Sequence, residues 1–90
     1  MKSIFNERYR RLVGWMIAER KFKKITQLEL SRRLGYPNST YISKIEQFER
    51  RIDILEFVNI CDSIGIDPHI GLTILIETKL QPEFQSALKQ

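Results

Sequence analysis

Near the start of the chain Phe5, Tyr9, Leu12, Val13, Met16 and Ile17 recur at spacings of three and four, which is the period of one apolar stripe on an α-helix. Arg20 falls on the same stripe. A charge there is costly unless paired, so the pattern predicts a partner for Arg20 elsewhere in the fold. Lys21, Lys23 and Lys24 then lead the chain out of this first helix.

The punctuation that follows fits further helices. Thr26 and Glu29 have capping-box spacing, and Ile25 and Leu30 sit where a hydrophobic staple would join them. Leu30 and Leu34 then face inward and Arg32 and Arg33 outward. Gly35 supplies the left-handed residue that ends the second helix, and Tyr36-Pro37 resists its continuation, because the residue before a proline is pushed out of helical geometry. Asn38 is placed to cap a third helix. In it Ile42 and Ile45 face inward, and Ser39, Thr40, Ser43, Lys44 and Gln47 share the opposite face. Asp53 with Glu56, and Ile52 with Phe57, repeat the start signal. Leu55, Phe57, Val58, Cys61 and Ile64 form the expected buried side of a fourth helix that Gly65 stops, and Asp67-Pro68 opens a fifth.

The fifth segment, HIGLTILIETKL, alternates Ile70, Leu72, Ile74 and Ile76 as a strand would, but its start signal and surroundings favour a helix. As a helix it is apolar on more than one side, since Ile70 and Ile74 face differently from Leu72, Leu75 and Ile76. A small domain has one core to offer, so the surplus face is expected to meet a second subunit. Pro82 restarts a short segment in which Phe84 and Leu88 either dock or stay loose.

Ninety residues make one domain, divided as 1–80 with a helix-turn-helix at 26–47 and a tail at 81–90. A chain this short buries only roughly 60% of the surface it exposes when unfolded, so association would help it. No apolar run reaches the roughly 18 residues of a membrane span. The stretch MKSIFNERYRRL is charged where a signal peptide must be apolar, so a cytoplasmic location with no membrane partner is expected. Cys61 stands alone and reads as core packing. The net charge is +4, but its distribution says more. Residues 1–51 hold thirteen Lys/Arg against five acids, a net +8; residues 52–90 hold two against six, a net −4. The first half suits a polyanion.

Little points to catalysis. His69 is the only histidine, just after Pro68, and Ser, His and Cys do not cluster. Neither a glycine-rich phosphate loop nor a metal-ligand spacing occurs. No enzyme activity, catalytic residue, cofactor, metal or small-molecule ligand is expected. The third helix is more informative: short polar residues and one lysine on a single face, with arginines just beyond its end, suit the major groove of DNA.

Gln27 opening the second helix, small Ser31 where helices cross, Gly35 in the turn, inward Ile42 and Ile45, and Glu46 near the end of the third helix occur together. With the continuation ERRIDILEFVNICDSIGIDP they resemble the DNA-binding domains of the Cro/CI-type (XRE-type) repressors, over about Arg10 to Leu75. The resemblance implies an all-α, compact five-helix lambda-repressor-like domain, here with a short C-terminal extension. It also implies a buried ion pair between Arg20 and Glu46. Two departures stand out. The stretch from Gly35 to Ile42 is one residue longer than is usual in the family, and Phe48 stands where a glycine often follows the third helix, so that it either tucks into the core or redirects the chain.

Aligned on the inward isoleucines, the base-reading positions are Ser39, Thr40 and Lys44, with Asn38 at the cap and Ser43 on the same face; aligned on Gly35 they move back by one. Gln27 at a helix start is placed to meet a phosphate, as are Arg50 and Arg51 beyond the third helix and, more weakly, Lys23 and Lys24. The expected function is a regulator of transcription that binds double-stranded DNA. It would act as a repressor and a homodimer joined through Ile70, Leu72, Ile74, Leu75 and Ile76, on a near-palindromic operator read by the helix at 38–47. The alternative is a protein–protein adaptor or antitoxin-type module on the same fold with little DNA reading of its own.

Overall fold

Asn6 accepts a hydrogen bond from the Tyr9 amide and opens α1 (Glu7–Phe22). The computed structural model describes residues 6–78, so Phe5 and the tail segment with Pro82, Phe84 and Leu88 lie outside them. Thr26 accepts from the Glu29 amide at 3.0 Å and starts α2 (Gln27–Arg33). The turn leads to α3 (Thr40–Glu46), and Asp53 with Glu56 forms a complete capping box for α4 (Ile54–Ile64). Asp67 caps α5 (Pro68–Glu77), which begins on the proline. No strand occurs among the described residues, and the ambiguous fifth segment is a helix.

Four helices end in the same way. Lys24, Gly35, Phe48 and Gly65 are all left-handed, at φ +60°, +88°, +62° and +85°. After α2 the Gly35 amide donates to Arg32 O and the Tyr36 amide to Ser31 O, a Schellman closure that satisfies carbonyls the helix leaves unpaired. After α3 the Phe48 amide donates to Ile45 O and the Glu49 amide to Lys44 O in the same pattern.

A non-glycine residue pays a steric penalty in this conformation; Phe48 offsets it through its ring. The ring meets Tyr9 edge to face at 6.3 Å, and the Arg10 guanidinium lies 4.7 Å from its centroid. Phe48→Ala keeps the backbone penalty and loses the ring, whereas Phe48→Gly relieves the one while losing the other. The glycine variant is therefore expected to be more stable than the alanine variant by about 1 kcal/mol. Urea unfolding of the two checks this; equal stabilities would remove strain from the account of this turn.

The core joins Leu12 and Met16 of α1, Ile25, Leu30 of α2, Ile42 and Ile45 of α3, and Phe57, Ile60, Cys61 and Ile64 of α4. Two details differ from the sequence pattern. Leu55 is 69% exposed: it lies about 200° around the helix from Phe57, while Phe57, Ile60, Cys61 and Ile64 make the inward stripe. The third helix starts at Thr40 with Ser39 as its cap, not at Asn38. Asn38 still contributes, because its Oδ1 accepts from the Thr40 amide at 3.0 Å. Ser31 is wholly buried where α2 crosses the core, and its small side chain lets the helices approach.

In α5 only Gly71 is fully buried, against Leu12 and Trp15 of α1 and Phe57 of α4. Ile70, Leu72 and Ile76 remain exposed, whereas Leu75 packs on the core.

Candidate nucleic-acid interface

The helix-turn-helix is anchored at one ionic node. Arg20, buried at the end of α1, donates from Nε to Glu46 Oε2 at 2.7 Å and from Nη2 to Glu46 Oε1 at 2.8 Å. Its Nη1 donates to the Ile25 carbonyl at 2.7 Å. Gln27 Nε2 adds a third donor to Glu46 Oε1, at 2.8 Å. This bidentate geometry is the strong form of a charge-assisted pair. It ties the ends of α1 and α3 to the start of α2.

A second set of contacts holds the other end of α3. The rings of Tyr36 and Tyr41 stack with centroids 4.3 Å apart, and the Arg50 guanidinium lies 4.7 Å from the Tyr41 centroid. Arg50 Nη1 and Nη2 donate to Glu56 Oε1 and Oε2 at 3.1 and 3.0 Å. Burial opposes ionisation of Glu56, but Arg50, the Asp53 amide and Tyr41 together hold its carboxyl below the usual value. Burial, then the Glu56 carboxylate, pushes the Tyr41 phenol strongly upward. The Tyr9 hydroxyl accepts from the Ile52 amide at 3.2 Å and donates to Arg50 O at 3.4 Å, so α1 also pins this loop; burial raises its pKa.

Between these anchors α3 turns one face to solvent. Thr40 and Lys44 are exposed on it and Ser39 and Ser43 half-exposed. The Gln47 amide donates to Ser43 Oγ at 3.1 Å.

The basic half is less free than its charge suggests. Arg11 pairs with Glu7, and Arg33 with Glu29. Lys23 Nζ donates to Gly65 O at 2.9 Å and Arg33 Nη1 to Ser63 O at 2.8 Å, so two cations sit on the C-terminal carbonyls of α4, where a helix dipole favours them. Arg50 is committed to Glu56. Lys21, Lys24, Arg32, Lys44 and Arg51 form no ion pair among the described residues. Arg51 lies 5.4 Å from the Tyr9 ring centroid.

Sequence reasoning missed the second jobs of Glu56, Tyr36 and Lys23. Glu56 was visible as a capping residue; its reach to Arg50 had no signal beyond opposite charge. His69 is exposed, with Nδ1 2.8 Å from Asp67 Oδ1, which helps lower the Asp67 pKa after the His69 amide. Burial, with Asp62 and Asp67 nearby, pushes the Cys61 thiol up to about 11, which leaves it protonated and inert. Among the described residues no group of three or more His, Cys, Asp or Glu could hold a metal, and no helix is long and apolar enough to cross a membrane.

Five helices with a helix-turn-helix at α2–α3, locked by a buried ion pair and presenting a polar helix face, define the class of helix-turn-helix regulators. A solved structure described as an XRE-family like protein from Pseudomonas syringae pv. tomato str. DC3000 is similar at 43% identity and a TM-score of 0.73, over 80% of this chain and 87% of that one. The chain belongs to the XRE family of helix-turn-helix regulators. A scan of protein-family models matches none, and no curated protein matches.

Proposed function

We propose that this protein is a sequence-specific regulator of transcription that places α3 in the major groove of double-stranded DNA. The observation that carries this reading is the outward face of α3, anchored at both ends, carrying Lys44 and followed by Arg51, neither of which forms an ion pair among the described residues. Thr40 and Lys44, with Ser39 and Ser43, are the base-edge residues; Lys44 suits guanine O6 and N7. Asn38 keeps its amide N–H groups for the same edge while its oxygen caps. Arg51 holds a phosphate, and Gln27 at the start of α2 another, since its Nε2 has a second hydrogen beyond the one given to Glu46.

Ile70, Leu72 and Ile76, with half-buried Ile74 and Leu75, form the surface for a second copy. Beside it lies an apolar cleft of about 450 Å³ lined by Leu12, Ile52, Ile54, Phe57, Leu72 and Leu75, among others. A homodimer would set two copies of α3 about 34 Å apart, in successive major grooves of a near-palindromic operator. Repression would follow from occupancy of that operator.

Selection of bound sites from random DNA tests the reading and returns sequence, symmetry and spacing together. On the selected site, Thr40→Ala or Lys44→Ala should cost roughly 1–3 kcal/mol and relax one base position. Arg51→Ala should weaken all sequences alike and reduce the salt slope by about one. Equal losses on every sequence for all three would remove α3 as the reading helix, and an adaptor would show no steep salt dependence at all.

A further inference from the structure

Arg50 stands where a phosphate contact is expected, yet its guanidinium is already engaged on its face by Tyr41 and on its edge by Glu56. Glu56 is fixed independently, because its Oε1 accepts the Asp53 amide at 2.9 Å in the capping box of α4. Tyr41 is the second residue of α3, and its partner Tyr36 belongs to the turn before it. A continuous path of side chains thus runs from the turn, through the first turn of α3, to α4.

The place of this path is informative. The C-terminal end of α3 is held by Glu46 and by the closure at Phe48. Its N-terminal end has no cap from the Ser39 side chain and follows the turn with an extra residue. That end carries Ser39 and Thr40, the two residues before Tyr41. We propose that the path Tyr36–Tyr41–Arg50–Glu56 sets the angle at which the N-terminal end of α3 meets DNA, so that Tyr41 and Arg50 are positioning residues for base selection and Arg50 is not a phosphate contact. This rests on the DNA-reading function proposed above.

The chemistry separates the two roles of Arg50. A phosphate contact needs a cation, so lysine keeps it and any loss falls alike on every sequence; the stacked, bidentate contact to Tyr41 and Glu56 needs the planar fork, which lysine lacks. Glu56→Gln keeps the capping box, which glutamine serves as well, but removes the charge that orients Arg50. If Arg50 were a phosphate contact, freeing it from Glu56 would tighten binding to every sequence.

The experiment measures Kd on the selected site and on its single-base variants, across salt, for wild type, Arg50→Lys, Arg50→Ala, Glu56→Gln and Tyr41→Phe. The melting temperature of each variant is followed alongside. Wild type should discriminate by about tenfold or more at a read base pair. In Arg50→Lys and Glu56→Gln that ratio should fall about threefold or more at the positions read by Ser39 and Thr40, with the salt slope unchanged. Tyr41→Phe keeps the ring and should keep the ratio. Arg50→Lys matching wild type on every site, or Arg50→Ala flattening the salt slope with ratios intact, overturns the inference alone. Wild type lacking selective, salt-dependent binding overturns the DNA-reading function and the inference with it.

Discussion

Glu46→Gln should lower the stability of the fold by about 3–5 kcal/mol, the cost of stranding one partner of a buried ion pair. Glu46 receives three hydrogen bonds from two residues, two of them from the charged Arg20. Glutamine keeps the shape but loses the charge, and it turns an NH2 group toward donors where an acceptor is needed. Arg20, at 6% exposure, cannot swing out to water without leaving the Ile25 carbonyl as well. In a domain of this size 1 kcal/mol moves the melting temperature by roughly 4–8 °C, so the variant should melt more than ten degrees lower. The double variant Arg20→Met/Glu46→Leu separates the causes. It removes both charges and should recover most of the loss, because a well-packed apolar pair can match a buried ion pair. A Glu46→Gln protein that melts with wild type would show that the node contributes nothing.

Arg20 was legible in the sequence because it broke an apolar stripe, and a broken period is a local signal. The starts of α2, α4 and α5 were legible for the same reason: each cap lies within three residues of the amide it satisfies, as Thr26 and Asp53 show. Gly35 and Gly65 could be placed as left-handed ends because glycine tolerates that conformation. Lys24 and Phe48 do the same work without the residue type that announces it, and only tertiary contacts, such as the Phe48 ring on Tyr9, make that visible. Leu55 was misplaced by counting it into a stripe whose phase is set by what packs on α4. The candidate site shows the same division. The face of α3 follows from period and polarity, but which arginines are free depends on partners far along the chain, as with Lys23 and Gly65 or Arg33 and Ser63.

Of the four glycines Gly71 is the one most tightly enclosed by other side chains, and there a single methyl group should be destabilising. A Cβ at this position would sit 2.7 Å from Phe57 Cζ, 2.8 Å from Trp15 Cζ3 and 2.9 Å from Leu12 Cδ1. Each of these atoms ends a side chain and could yield alone. They come from two helices, however, and Leu12 and Phe57 are buried, so retreat of one presses on the core. Overpacking of this kind costs typically about 1–3 kcal/mol. Alanine inside a helix returns up to about 1 kcal/mol of backbone propensity, so Gly71→Ala should lose up to about 2 kcal/mol net, and Gly71→Leu considerably more. Gly14 supplies the control: it lies exposed in α1, with nothing within 4 Å of its would-be Cβ, so Gly14→Ala should gain most of that propensity. Urea unfolding of the two variants therefore predicts shifts of opposite sign. Since α5 carries Ile70, Leu72 and Ile76, proposed above as the surface for a second copy, moving it away from α1 should also weaken the proposed dimer in sedimentation, while Gly14→Ala leaves it unchanged. If Gly71→Ala gains stability as Gly14→Ala does, the contact between α1 and α5 is loose, and the placement of the exposed apolar face fails with it.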